Sequence, residues 1–280
     1  MEGRILTADS IDKYEKDLIL QEKSAATIEK YIRDIKAFYK FTNGSEITKE
    51  IVIEYKNYLQ ENYAVRSVNS MIASINRFFV FLKWSDLKVK LLKFQQEVFR
   101  PEEKELTKAE YIRLCQAAKQ KKNVRLNLII QTICATGIRV SELQYITVET
   151  LKRGEVTVSL KGKTRSVFIV KALKQKLLRW AAEQEIKHGM IFVTKSGRPI
   201  NRTNIWREMK ALCKEANVNP QKVFPHNLRH LFARTFYGIE KDIAKLADIL
   251  GHSSINTTRI YIISTSTEHR KKMENMRLII

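Results

Sequence analysis

Pro225–Tyr261 reads PHNLRHLFARTFYGIEKDIAKLADILGHSSINTTRIY. It holds three of the chain's five histidines, His226, His230 and His252, together with Arg229 and Tyr261. Proline suits the first turn of a helix, where its missing N–H costs nothing, so Pro225 opens one. His226 and Arg229 stand at i and i+3 and share a face of that helix. His230 is adjacent and points partly elsewhere, as a supporting residue. A second helix carries an apolar face of Ile243, Leu246, Ala247, Ile249 and Leu250. Gly251 ends it and throws His252 beyond the helix end. Taken alone these features are weak. A histidine–arginine helix is usually structural, a tyrosine in an IYII run is usually core, and His226 with His230 at i, i+4 has the spacing of a zinc pair. No glutamate stands between them as in a metalloprotease helix, so no metal is assigned.

Upstream, LTKAEY begins a helix with the spacing of a capping box, Thr107 and Glu110. A long apolar helix follows from Leu126 to Ala135. In ATGIRVSELQYITVE, Thr136-Gly137 breaks that helix and Ser141-Glu142 begins another. Arg139 is thereby held at a turn between packed elements. Residues 155–170, EVTVSLKGKTRSVFIV, alternate and are rich in valine, which predicts a β-hairpin turning at Lys161-Gly162-Lys163. MIFVTKSGRPI, 190–200, is a candidate short strand and turn, and helices resume at Thr203. The C-terminal two-thirds is thus mainly α with one small antiparallel sheet.

The first 95 residues show only helical periodicity. A short helix is expected over Ser10–Leu20. Ser24 begins a second, with Ile28, Tyr31, Ile32, Ile35, Phe38 and Tyr39 inward, closed by Gly44. Thr48 begins a third through Ile51, Tyr55, Tyr58 and Leu59. Ser67 begins a fourth with Met71, Ile72, Ile75, Phe78, Phe79 and Leu82 inward. This predicts a helical bundle over 1–95. Arg66, Asn69, Ser74, Arg77 and Lys83 lie on or near the polar side of the fourth helix, facing either DNA phosphates or simply solvent. The polar, proline-bearing stretch 96–105 is the expected linker to a second domain, 106–280.

The formal net charge is +21. Residues 1–100 carry 17 Lys+Arg against 14 Asp+Glu, whereas 101–280 carry 34 against 16. A surplus of this size points to a polyanion, because each neutralised phosphate releases counterions. The three cysteines are widely spaced and read as buried, reduced thiols. No apolar run approaches the roughly 20 residues of a membrane span. No secretory signal opens the chain, so the expected compartment is the cytoplasm.

A basic protein that cuts DNA must stabilise a pentacoordinate phosphate, supply a nucleophile and protonate the 5′-oxygen. Arginine forks suit the first task. The sequence has no acidic cluster with two-metal spacing, which favours an arginine clamp over metal ions.

TGIRVSEL, the KGK hairpin, HNLRH, LGHSS and then tyrosine, in that order and spacing, closely resemble the tyrosine recombinase (phage integrase) family. The likeness covers nearly the whole chain. The N-terminal bundle looks like that family's core-binding (SAM-like) domain, and the compact length looks like Xer-type or short mobile-element members without an arm-binding domain. The resemblance implies a site-specific DNA recombinase that works through a 3′-phosphotyrosyl link and a Holliday junction. Arg139 and Arg229 look like the phosphate-clamping arginines and Lys161 like the hairpin lysine that protonates the leaving group. Lys163 is the alternative, since this turn is one residue shorter than the family's common K-G-N-K form. His226 looks like the general acid/base, His252 like a hydrogen-bond donor to the phosphate, Glu142 like the residue orienting Arg139, and Tyr261 like the nucleophile. His230 supports the site. Arg66, Arg77, Lys83, Lys163 and Arg165 are candidate DNA contacts. No cofactor is implied. The implied partners are double-stranded DNA and three further copies of the chain, a tetramer on paired sites from free monomers or dimers, with a partner recombinase or accessory protein open. The implied C-terminal helix, 266–280, docks on a neighbouring protomer. A DNA-binding regulatory protein and a topoisomerase-like relaxing enzyme are the alternatives.

Overall fold

The computed structural model describes residues 3–93, 102–160, 163–194, 196–262 and 273–276. The chain divides into two compact units, Met1–Gln96 and Glu97–Ile280.

The first unit is a bundle of four helices: α1 (Ala8–Leu20), α2 (Ala25–Thr42), α3 (Lys49–Asn62) and α4 (Val65–Phe81). Most of the predicted inward residues form the core, but Tyr58 of α3 is exposed. Ile35, Phe38, Tyr55, Leu59, Ile72, Ile75, Phe78 and Phe79 are all but inaccessible to solvent. Thr48 caps α3 by accepting from the Ile51 N–H, as its β-region backbone and hydroxyl allow. Three boundaries differ from expectation. α1 begins at Ala8, two residues before Ser10, with Thr7 at the cap position. α4 begins at Val65, two residues before Ser67, with Ala64 at the cap position. α2 closes on Asn43 in the left-handed conformation, one residue before Gly44.

Beyond α4 the chain makes a 3₁₀ turn, Ser85–Leu87, and then runs on without regular structure, and side chains satisfy its backbone. Asn76 both donates to the Val89 carbonyl and accepts from the Val89 N–H, at 2.8 and 3.0 Å. Asn69 does the same for Leu92 at 2.9 and 2.8 Å. Lys49 reaches the Asp86 carbonyl and Lys56 the Lys90 carbonyl. Asn69, read from sequence as a possible phosphate contact, is therefore committed to the fold. So is Ser74, which is fully buried and donates to Asp34 at 2.9 Å.

Of the expected linker 96–105, positions 96–101 lie outside the described residues. The remainder packs on the second unit: Glu105 is buried and ion-paired to Arg234, and Asn227 donates to the Lys104 carbonyl. The second unit continues with α5 (Lys108–Gln120), opened by the predicted Thr107–Glu110 capping box. Then come α6 (Val124–Thr136), a 3₁₀ turn Val140–Tyr145, α7 (Val148–Arg153), β1 (Glu155–Leu160), β2 (Lys163–Phe168), α8 (Lys171–Glu183), α9 (Arg202–Lys210), α10 (Cys213–Ala216), α11 (Pro225–Glu240), α12 (Ile243–Leu250) and α13 (Ile255–Ile262). β1 and β2 pair antiparallel from Glu155↔Phe168 to Leu160↔Lys163. Residues 190–200 contribute only isolated bridges, Thr147↔Met190 and Val193↔Pro199.

The main core of this unit gathers Leu114, Ile129, Ile133, Leu143, Leu151, Val156, Leu177, Phe192 and Leu228, among others. A second, small cluster holds α11, α12 and α13 together through Ala233, Leu246, Leu250 and Tyr261. Of the predicted C-terminal helix 266–280, only 273–276 is described; there Met273 and Met276 are exposed. Among the described residues no helix is long and apolar enough to cross a membrane.

Candidate active site

Residues from α11 and from the turn after α12 converge on Tyr261 of α13. Its ring stacks on His230, with centroids 4.1 Å apart and planes at 16°. The His226 ring stands edge-on at 5.3 Å and the His252 ring is tilted at 5.0 Å. The Arg229 guanidinium carbon lies 6.0 Å from the tyrosine centroid. The IYII tyrosine is thus buried, as a structural tyrosine would be, but three histidines and an arginine surround it.

Arg229 is 1% exposed. Its fork donates to the Gly137 and Leu250 carbonyls and reaches His252 Nε2 at 3.1 Å. Burial, then the nearby Arg139 charge, pull its pKa down to about 10, so it stays charged at neutral pH. Gly137 takes φ +64, and a Cβ there would stand 2.5 Å from the Phe232 ring. Only glycine lets α6 end this close to α11, with its carbonyl turned to Arg229.

His252 follows Gly251, which closes α12 at φ +63. An arginine nitrogen can only donate, so His252 Nε2 accepts. The proton therefore sits on Nδ1 and points at Thr258 Oγ1, 2.9 Å away. Burial first, then Arg229, Arg139 and Arg165, depress this histidine to about 4. It is neutral at pH 7.

Arg139 stands at the head of the 3₁₀ turn. Its guanidinium donates to Glu142 Oε1 at 2.7 Å, and its backbone N–H to Oε2 at 2.8 Å. Its side chain keeps 34% exposure, whereas Glu142 has none. Burial pushes the Glu142 carboxyl up, but hydrogen bonds from Arg139 and the two arginine charges outweigh it and hold the pKa below the ordinary value. An open cleft of about 740 Å³ is lined by Arg139, His226 and Arg229 together with Arg202, Thr203 and Trp206 of α9. Three arginines, one carboxylate and a neutral histidine leave two net positive charges in a largely desolvated site, where an anion gains most.

Lys161 lies outside the described residues. Lys163 opens β2, paired with Leu160. Arg165, read from sequence as a DNA contact, is turned inward: its side chain is 10% exposed and donates to Glu142 Oε2 at 2.5 Å and to the Ile249 carbonyl at 2.7 Å. The pleat explains this, since Arg165 shares a face with buried Val167 and faces buried Val158 across the ladder. Arg66, Arg77 and Lys83 belong to the first unit and are exposed. Arg77 donates to Gln21 at 2.6 Å. Among the described residues no cluster of ligands fit for a metal occurs.

The phage integrase family model matches residues 104–268, more than half of the chain. The chain belongs to the phage integrase family. That family's N-terminal SAM-like domain model matches residues 11–86. Among curated members of the family's Xer group, the tyrosine recombinase XerD of Halalkalibacterium halodurans is 29% identical over 268 residues, covering 87% of this chain and 89% of that protein. The tyrosine recombinase XerA of Pyrococcus furiosus is 26% identical over 100% of this chain and 98% of its own. Among solved structures, a lambda integrase tetramer bound to a Holliday junction shares the fold at a TM-score of 0.75, 20% identity and 93% coverage of this chain, 78% of that one. The integrase fold is thus present in both units. Two members of the site escaped the sequence reading. Thr258, fully buried on α13, had no signal beyond its position one turn before Tyr261. Arg165 as the second partner of Glu142 was signalled by strand alternation alone.

Proposed function

We propose that the protein is a site-specific DNA recombinase whose nucleophile is Tyr261. The observation that carries this reading is the enclosure of one tyrosine ring by His226, His230, His252 and Arg229. Arg139 and Arg229 hold the non-bridging oxygens of the scissile phosphate, and Glu142 keeps Arg139 aimed at it. The Tyr261 oxygen attacks phosphorus while His226 takes its proton. The bond from phosphorus to the 5′-oxygen breaks, and Lys161, or Lys163 in its place, supplies the proton to that oxygen. A 3′-phosphotyrosyl bond and a free 5′-hydroxyl result. The covalent link conserves the phosphodiester energy, so the reverse attack by a 5′-hydroxyl of another strand rejoins DNA without ATP or another cofactor.

The partner is double-stranded DNA, gripped by the basic second unit and by the SAM-like bundle as core-binding domain. The lambda integrase tetramer on a Holliday junction supports an assembly of four protomers that exchanges strands between paired sites, in the cytoplasm. The C-terminal segment 266–280 links neighbouring protomers.

The test is covalent capture. A duplex library with a randomised core and a nick that lets the 5′-hydroxyl diffuse away selects the cleaved sequence. Wild-type protein should form an adduct on it that survives denaturation, and Tyr261→Phe should form none. An adduct that persists in Tyr261→Phe assigns the nucleophile to another residue. Products that only relax supercoils, never joining two sites, favour the topoisomerase-like alternative.

A further inference from the structure

We propose that Arg165 is a positioning residue of the cleavage site, tying the Arg139–Glu142 arm of the phosphate clamp to the glycine turn that carries His252. The proposal rests on the recombinase reading above.

Three observations support it. One nitrogen of the Arg165 guanidinium donates to Glu142 Oε2 and the other to the Ile249 carbonyl. A single side chain therefore spans from the 3₁₀ turn of Arg139 to the end of α12. Second, Gly251 folds directly over the Arg165 side chain. A Cβ at Gly251 would collide with Arg165 Cδ and Nε before it met any other residue. The arginine's own methylenes thus set where the turn sits, and His252 is the next residue. Third, Arg165 has no room to serve the phosphate itself. Its side chain is 10% exposed against 34% for Arg139, and its Nε is buried against the turn without a hydrogen-bond partner.

The two arginines divide the labour on one carboxylate. Glu142 Oε1 faces the Arg139 guanidinium, and Oε2 receives the Arg139 N–H and Arg165. Arg139 also reaches the Gly251 carbonyl at 3.4 Å. Without Arg165, a fully buried Glu142 would keep one cation and the His252 turn would lose its support. Burial would then push the carboxyl toward its neutral form, and Arg139 would lose the charge that aims it.

The experiment uses the full chain and the nicked duplex selected by covalent capture. Wild type forming the adduct and Tyr261→Phe failing to do so establishes the cleavage reading first, independently of Arg165. Arg165→Met keeps the methylenes under Gly251 and removes the fork; Arg165→Lys keeps the charge with a single donor site. Single-turnover adduct formation at saturating protein should fall about 10²-fold in Arg165→Met, the scale of a misplaced reacting group, with Arg165→Lys intermediate. The DNA dissociation constant and its salt slope should stay at wild-type values. The acid limb of the cleavage profile should move to higher pH in Arg165→Met. Glu142→Gln combined with Arg165→Met should be no slower than the worse single variant, because both act through one carboxylate. The proposal is overturned if Arg165→Met weakens DNA binding and lowers the salt slope by about one, the signature of a lost phosphate contact, with cleavage of bound DNA unchanged. Strict additivity of the two substitutions overturns it as well.

Discussion

His252 joins the chemistry of the site to the stability of the fold. Its ring is held neutral, depressed from 6.5 to about 4 by burial and by the arginines that face it. In the unfolded chain the same ring protonates near its ordinary value. Its contribution to stability is therefore complete above about pH 6.5 and is lost as pH falls through 4. Glu142, also depressed, acts in the same direction lower in the acid range. Melting temperature should fall as pH is lowered from 7 to 5, and His252→Gln should flatten that slope; an unchanged slope would locate the acid sensitivity in other groups. A second residue-scale prediction concerns Gly137. Alanine there meets both a positive φ and the Phe232 ring, so Gly137→Ala should cost about 2–4 kcal/mol in denaturant unfolding, strain and overpacking together. At this scale the sequence showed which residue types were available but not how they were paired. Arg229, His252 and Tyr261 could be singled out from HNLRH, LGHSS and their spacing. That Arg229 spends its fork on the carbonyls of Gly137 and Leu250 depends on two helix ends meeting, which no local pattern encodes.

The helices of the first unit were legible because their inward residues repeat at helical spacing, and Ile35, Phe38, Ile72 and Phe79 are buried where that spacing puts them. The irregular segment after α4 was not, because it has no partner strand. Its backbone pairs with Asn76 and Asn69, seven residues apart on one face of α4, and an asparagine on a polar helix face looks the same whether it meets water, DNA or a neighbouring chain segment. This assignment has a measurable consequence. Each asparagine makes two hydrogen bonds to one residue, so Asn76→Ala and Asn69→Ala should each destabilise the protein by about 1–3 kcal/mol, and amide exchange at Val89 or Leu92 should accelerate locally. Neither substitution should change the salt slope of DNA binding. A slope reduced by Asn69→Ala would mean that the side chain reaches the nucleic acid after all. The β-hairpin gives the converse lesson: its alternation predicts the strands, yet Arg165, a candidate DNA contact, faces inward because its register puts it on one face with Val167.

For the whole molecule the charge is unevenly spread, and this separates binding from assembly. Most of the formal +21 lies beyond residue 100, but the last fifteen residues, STEHRKKMENMRLII, hold four Lys+Arg against two Glu. They contribute little to the field that draws in DNA. What they do hold is apolar: Met273 and Met276 are exposed, and Leu278, Ile279 and Ile280 follow in the sequence. Apolar side chains grouped in this way favour burial on another surface, which supports the proposed docking on a neighbouring protomer. Removing residues 266–280 should therefore leave single-site affinity within about threefold of wild type, a change of well under 1 kcal/mol. Pairing of two sites, and recombination with it, should fall sharply. Both are readable in one experiment, by titrating a single labelled site and then adding a second site and scoring paired complexes in a native gel. If pairing survives the truncation while the truncated protein melts lower, the segment packs on its own unit, and the contact between protomers belongs to another surface.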